Sequence, residues 1–275
     1  MLREASRDDL DAIRALLGRA NDAPYDLARV AEEKCFGRGY GGAPVVHVFE
    51  EEGTIAGVSV TCGHMLRVLA VDRDLRLRGF GSALLAEAER RAHVVFAEGG
   101  NYFTPGVVEE DQQTRSFFRK HGYIESRWTC NLETANLPVS ADDGVLRATH
   151  ADRERVLAFI EHEFGAIWRF ECSRAFEREV PPLFFAEHAA EITGFAAYDI
   201  NNASLGFFGP TGVARKSRGR GCGRSLLMAS LAEMRRMGYE RAVIPWTEAL
   251  DFYRKSCDAE PTHRFVTLTR ADRRR

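Results

Sequence analysis

A loop of glycines and arginines that runs straight into a helix occurs twice in this chain, 142 residues apart. The second copy, Val213 to Ala229, reads VARKSRGRGCGRSLLMA and contains Arg218-x-x-Gly221-x-Gly223. The first, Val71 to Ala86, reads VDRDLRLRGFGSALLA and contains Arg76-x-x-Gly79-x-Gly81. Successive backbone N–H groups at a helix start form a ready anion site that suits a pyrophosphate. Glycines let the main chain approach such a ligand without Cβ obstruction. Two copies in the same setting point to an internal duplication.

The rest of the chain repeats in step. Leu2-Arg3 recurs as Leu146-Arg147. In the first half, Arg7 to Ala20 carries apolar residues at Leu10, Ile13, Leu16 and Leu17, one helical face. A second helix over about Tyr25 to Cys35, a hairpin over Val45–Phe49 and Ile55–Val60, and a strand at Leu66–Val71 lead to the first loop. A helix, a short strand, the insertion Asn101–Val107, a helix over Gln112–Lys120 and a strand over Ser126–Leu132 follow. Glu133 to Gly144 is polar and aperiodic and reads as a linker. The second half then has helices over Asp152–Phe164 and Cys172–Glu179, and the hairpin Phe184–Glu187 with Ile192–Ile200. The strand Leu205–Val213, the second loop and its helix come next, then the strand Arg241–Trp246, the helix Ala249–Ser256 and the strand His263–Leu268. The expected plan is α/β: two tandem domains, 1–136 and 145–275, each a mixed, mostly antiparallel sheet flanked by helices.

The repeated loop resembles motif A of the Gcn5-related N-acetyltransferases (GNAT), in which Gln or Arg, two residues, Gly, one residue and Gly or Ala hold the pyrophosphate of coenzyme A. The resemblance implies acetyl-CoA as cofactor. It implies one binding loop at Val71, Arg76, Leu77, Arg78, Gly79, Phe80, Gly81 and Ser82, and a second at Val213, Arg218, Gly219, Arg220, Gly221, Cys222, Gly223, Arg224 and Ser225. It also implies that the fourth and fifth strands of each domain splay to admit the pantetheine arm.

In that family a tyrosine on the helix after the fifth strand protonates the departing thiolate, in a pattern like Phe-Tyr-x-Lys. Here Phe252-Tyr253-Arg254-Lys255 carries it, whereas the matching run of the first half, Phe117-Phe118-Arg119-Lys120, has Phe118 in that place. The second domain is therefore the expected catalytic one and the first structural or weakly active. The attacking amine must be neutral, because an alkyl ammonium has a pKa of ~10.4. Asp199 and Glu248 are candidate bases, and Trp168 and Trp246 are candidates to line an acceptor cleft. The Phe207–Val213 and Asn101–Val107 runs bear a looser resemblance to a bacterial tandem subgroup that acetylates amino sugars such as glucosamine. Mycothiol synthase is a second tandem relative of this kind. The Gly209-Pro210 pair fits a bulge in the fourth strand.

Alternatives within reach are an aminoglycoside or mycothiol-type acetyltransferase, or a non-catalytic acyl-CoA-binding regulator. A net charge of −2 argues against a dedicated nucleic-acid binder despite the basic tail Arg270–Arg275. No apolar run approaches the ~18–20 residues of a membrane helix, and the opening MLREASRDDLDAI reads as amphipathic rather than as a targeting segment. The six cysteines show no CxxC pair and the histidines no ligand spacing, so no metal is expected. A cytoplasmic monomer or homodimer acting on a small-molecule amine is the expectation.

Overall fold

A computed structural model describes residues 1–20, 22–140 and 144–271. Residues 141–143 of the expected linker and 272–275 of the basic tail lie outside the described residues. The chain opens with β1 (Leu2–Glu4), α1 (Leu10–Ala20) and α2 (Ala31–Phe36). The strands β2 (Val45–Glu51), β3 (Thr54–Cys62) and β4 (Met65–Val71) lead to the first loop and α3 (Phe80–Ala88). Then come β5 (Val94–Val95), β6 (Val107–Val108), α4 (Gln112–Lys120) and β7 (Tyr123–Thr134). The second half has β8 (Leu146–Arg147), α5 (Arg153–Phe164), α6 (Ala166–Ser173), β9 (Leu183–His188) and β10 (Glu191–Tyr198). It ends with β11 (Phe208–Val213), α7 (Cys222–Arg236), β12 (Ala242–Thr247), α8 (Leu250–Cys257) and β13 (Glu260–Arg270).

Local chemistry sets the repeated parts. Ser6 with Asp9, and Thr149 with Asp152, form equivalent capping boxes at the first helical turn of each half. Gly79 and Gly221 cap α3 and α7 with φ of 89° and 84°, values a side chain would resist. Gly57 and Gly194 let those helices lie on the sheet. A Cβ on Gly57 would come within 2.8 Å of Leu84 Cδ1, and one on Gly194 within 3.0 Å of Leu226 Cδ1.

Two compact units result: Met1–Thr129 with His263–Arg275, and Cys130–Thr262. In the first, β1 to β4 form an antiparallel ladder and β5 joins β4 in parallel. In the second, β8, β9, β10 and β11 form an antiparallel sheet. The units follow the sequence halves except at the closing strands. The sequence order suggests that His263–Leu268 closes the second half, but β13 pairs with β5 through Leu268 and Val95 and with β6 through Val266 and Val107. Residues 130–134 of β7 pair instead with β12, Ala242 facing Thr134. The reason is burial: Val266 and Leu268 are fully enclosed in the apolar cluster that includes Leu66, Val95 and Phe118.

Several boundaries also shift. The helix expected over Tyr25–Cys35 is formed only over Ala31–Phe36, and Glu133 and Thr134 of the expected linker are the end of β7, paired with Val243 and Ala242. Gly165, at φ 94°, interrupts the helical run, so the second helix of the second half is Ala166–Ser173, with a short 3₁₀ turn at Arg174–Glu177, rather than Cys172–Glu179. The fourth strand of that half starts at Phe208 because Leu205 sits in a turn, its N–H bonded to the Asn202 carbonyl. Among the described residues no helix is long and apolar enough to cross a membrane, no cluster of three or more metal-ligating side chains occurs, and no disulfide forms.

Candidate active site

The two loops have matching backbones. Arg218 Nε donates to the Val213 carbonyl at 3.2 Å and Arg76 Nε to the Val71 carbonyl at 3.3 Å, so each motif arginine ties its loop to the preceding strand. The left-handed position after it is Gly219 (φ 78°) in the second loop but Leu77 (φ 65°) in the first, where the side chain is 97% exposed. A leucine there carries strain that glycine avoids. No described residue accepts from the N–H groups of Gly219 through Gly223, the cradle expected for an anion.

The side chains around the cradles differ. In the first loop Arg73 and Arg76 both pair with Asp22, and Arg78 grips Glu51 through two hydrogen bonds, one of 2.8 Å. In the second, Lys216 pairs with Glu191, while Arg215, Arg218, Arg220 and Arg224 are exposed and have no carboxylate partner among the described residues. Positive potential at the second loop is therefore not cancelled locally. Cys222, the first residue of α7, has its thiol pKa raised by burial and contacts Thr193. Ser225 donates its backbone N–H to the Gly221 carbonyl, and the Ser82 hydroxyl meets His121 Nε2 at 3.1 Å.

In each unit two neighbouring strands are joined in parallel over only a short stretch among the described residues. In the first, β4 and β5 pair only through Met65 with Val94 and Leu66 with Val95. Beyond lies a cavity of about 520 Å³ reaching from Arg67 past Val71, Leu75–Leu77 and Gly79–Ser82 to Phe103, Val107 and Phe118. In the second, the parallel pairing found among the described residues is the single bridge of Phe207, just before β11, with Val243 of β12, where Val243 N–H donates to the Gly206 carbonyl.

Bulges shape both clefts. On β11, Gly209 and Pro210 lie opposite the single residue Ala197, which is the bulge the glycine–proline pair suggested. On β4 the extra residue is Arg67, between Leu66 opposite Thr61 and Val68 opposite Val60. Arg67 is 1% exposed, pairs through two nitrogens with Glu98, and donates to the Lys34 and Gly37 carbonyls. The sequence signal for it is an arginine inside the apolar run Met65–Val71, which no motif singles out.

Phe117 rests on Gly81 and Phe252 on Gly223, each ring about one van der Waals contact from where a Cβ would sit. Their successors Phe118 and Tyr253 are thus equivalent. Phe118 is fully buried against Phe96, Phe117 and Tyr123, and Tyr123 is itself buried in that cluster. Tyr253 is 6% exposed, edge-on to Phe208 and Phe252. Burial, with a smaller contribution from Cys257, pushes its phenol well above the ordinary value, and no described residue hydrogen-bonds its hydroxyl.

The remaining candidates separate. Asp199 is 3% exposed, and its carboxylate accepts from Arg178 at 3.0 Å, from Tyr239 at 2.7 Å and from Ser204 N–H at 2.6 Å. This arrangement holds the turn from Asp199 to Ser204. Glu248 is exposed, two residues before α8. Trp168 stacks on Phe164 at 5.2 Å and meets Phe195 edge-on, as part of the packing between α5, α6 and the sheet. Trp246 is half-buried at the end of β12, at φ 49°.

Comparison with known proteins gives consistent answers. A family model described as acetyltransferase (GNAT) domain matches residues 32–125, and one described as acetyltransferase (GNAT) family matches residues 150–258, together well over half of the chain. No curated protein matches the sequence. Among solved structures, the Gcn5-related glucosamine N-acetyltransferase region of a fungal multi-domain beta-N-acetylglucosaminidase is similar over 98% of this chain, with TM-score 0.77 and 18% identity. The match spans 38% of that protein's chain. A Gcn5-related N-acetyltransferase from Sphaerobacter thermophilus is similar at TM-score 0.70 and 19% identity, covering 98% of this chain and 94% of its own. A tandem GNAT protein from the clavulanic acid biosynthesis pathway matches at TM-score 0.70 and 17% identity, covering 98% and 97%. At these identities the structural likeness is one of fold.

Proposed function

The chain belongs to the Gcn5-related N-acetyltransferases and is an acyl-CoA-dependent N-acetyltransferase of tandem GNAT build, and from that premise we propose that its second unit does the chemistry. The proposed reaction moves an acetyl group from acetyl-CoA to the primary amine of a small molecule, with an amino sugar such as glucosamine as the first class to test. One contrast carries the proposal: the second unit combines a loop whose arginines have no carboxylate partner among the described residues with a tyrosine at the position where the first unit has Phe118. The first unit, with paired arginines and the Arg67–Glu98 pair filling its bulge, is read as structural or as a holder of cofactor without efficient turnover.

In this reading the N–H groups of residues 219–223 and the flanking arginines hold the pyrophosphate, and the cleft between β11 and β12 takes the pantetheine arm. The neutral amine forms its new C–N bond to the thioester carbonyl carbon as the C–S bond breaks. Tyr253, kept protonated by burial, gives its proton to the departing sulfur. The proton lost by the amine goes to Glu248, which is exposed ahead of α8, directly or through water. The fungal neighbour is described as a glucosamine N-acetyltransferase region, and this supports placing amino sugars first.

The test is mass-spectrometric detection of acetylated product from acetyl-CoA with glucosamine, polyamines, amino acids and aminoglycosides, with Tyr253→Phe alongside. Product on an amino sugar, nearly lost in the variant, is the expected result. Undiminished product in the variant would remove Tyr253 from the mechanism. Tight cofactor binding without product on any amine would favour a non-catalytic acyl-CoA-binding protein.

A further inference from the structure

We infer that Asn131 is a positioning residue for the amine acceptor, acting by holding Trp246 in a backbone conformation that sets the place of its indole at the parted end of β12. The inference deepens the transfer reading above and rests on it for the identity of the ligand. The ladder between β12 and the end of β7 runs Ala242 with Thr134, Val243 with Glu133 and Ile244 with Leu132, and resumes at Thr247 with Cys130. Pro245 and Trp246 therefore lie opposite the single residue Asn131. Proline has no N–H to give the ladder, so regular pairing cannot continue through it. The Trp246 N–H instead donates to the side-chain Oδ1 of Asn131 at 3.0 Å.

That bond supports an unusual backbone. Trp246 has φ 49°, an outlier for a bulky side chain, and such strain persists only where the surroundings over-determine it. Asn131 is fully buried, and its backbone carbonyl accepts from the Thr262 hydroxyl, which anchors the main chain that carries the accepting side chain. Register then fixes where this happens. From the parallel bridge of Phe207 and Val243, three residues along each strand lead to Pro210 on one and Trp246 on the other. The bulge of β12 is thus level with the Gly209–Pro210 bulge of β11, well before the loop that begins at Arg218. Bulges beside active sites re-aim side chains. A half-buried indole at this level offers an apolar plane to the C–H face of a sugar ring, and it is remote in sequence from the residues that hold phosphate.

The test uses the full chain labelled with fluorotryptophan. Its three tryptophans, Trp128, Trp168 and Trp246, give three fluorine resonances, and Trp246→Phe assigns the one of interest. Asn131→Ala is expected to move the Trp246 resonance while leaving that of Trp168 in place, and to abolish its response to glucosamine added with CoA. In turnover, KM for the amine should rise about tenfold, as losing one buried hydrogen bond implies, with kcat and KM for acetyl-CoA unchanged. Asn131→Asp, which keeps the Oδ1 acceptor, should restore both readouts. An unmoved Trp246 resonance in Asn131→Ala, or a rise in KM for acetyl-CoA in step with that for the amine, overturns the inference. Absence of product from the unmodified protein defeats the transfer reading instead. The glucosamine response then decides alone, its presence and loss in Asn131→Ala supporting the inference and its absence in the unmodified protein overturning it.

Discussion

Arg67 and Glu98 form a two-point ion pair sealed inside the first unit, both nearly without solvent exposure, with Arg67 Nη2 2.8 Å from Glu98 Oε1. Arg67 is the bulged residue of β4, and the corresponding bulge of β11 is made by Gly209 and Pro210. The same place in the two units therefore holds a neutralised salt bridge in one and the uncharged pair Gly209–Pro210 in the other. Gly39 packs so closely on the pair that a Cβ there would collide with Glu98 Oε1.

Glu98→Ala should destabilise the protein by about 3–5 kcal/mol, because it leaves a guanidinium buried without its counter-charge. Urea unfolding of the variant measures this, and the first-unit signal should be lost at the lower denaturant concentration. A loss below about 1 kcal/mol would mean that water reaches Arg67 readily.

Tyr253→Phe should lower kcat by about a hundredfold or more, the scale of one positioned general acid, with little change in melting temperature, since no described residue hydrogen-bonds the hydroxyl. Burial raises the phenol pKa, so the group stays protonated as pH rises through the range where the amine loses its proton. The rate should accordingly climb with pH and show no alkaline fall from Tyr253 up to about pH 10. A descending limb between pH 8 and 9 that vanishes in the variant would contradict this assignment.

Arg220→Ala combined with Arg224→Ala should raise KM for acetyl-CoA severalfold and weaken its dependence on ionic strength, because these arginines lack carboxylate partners among the described residues. Arg78→Ala, which removes a cation already paired with Glu51, should leave that KM unaltered. Steady-state kinetics at low and moderate salt compares the two, and equal effects would place productive cofactor in both units.

Asp9 should govern part of the acid stability of the first unit. Its carboxyl is lowered from 3.8 to about 2, chiefly by the hydrogen bond from Arg3, with a further backbone bond from Ser6. A depressed carboxyl stabilises the fold above its unfolded pKa, and that contribution disappears as pH falls through the folded value. Between pH 4 and pH 2 the protein should lose stability, and Asp9→Asn should flatten that slope. Circular dichroism melts across this range measure it.

The equivalence of Phe118 and Tyr253 is legible in the sequence, because it depends only on spacing from a glycine loop, and the contacts of Phe117 with Gly81 and Phe252 with Gly223 match it. For Trp168 and Asp199 the fold supplies neighbours that spacing does not show. Trp168 packs with Phe164 and Phe195, and Asp199 is held by Arg178, Tyr239 and Ser204. Both have the composition of site residues, but composition does not show which neighbours claim them first.

What the sequence determined by itself were the features set within a few residues of chain. These are the paired capping boxes, the glycine-capped helices after each motif arginine, the alternation of strands and helices, and the duplication that ties them together. Each needs only a local backbone angle or a short apolar period. The tertiary structure decided which strand closes which unit, that Asp22 and Glu51 would neutralise one loop and leave the other cationic, and that Asn131 would support Trp246. Those are contacts between residues tens to hundreds of positions apart. Their partners are chosen by register, burial and charge in the folded chain, which no local pattern encodes.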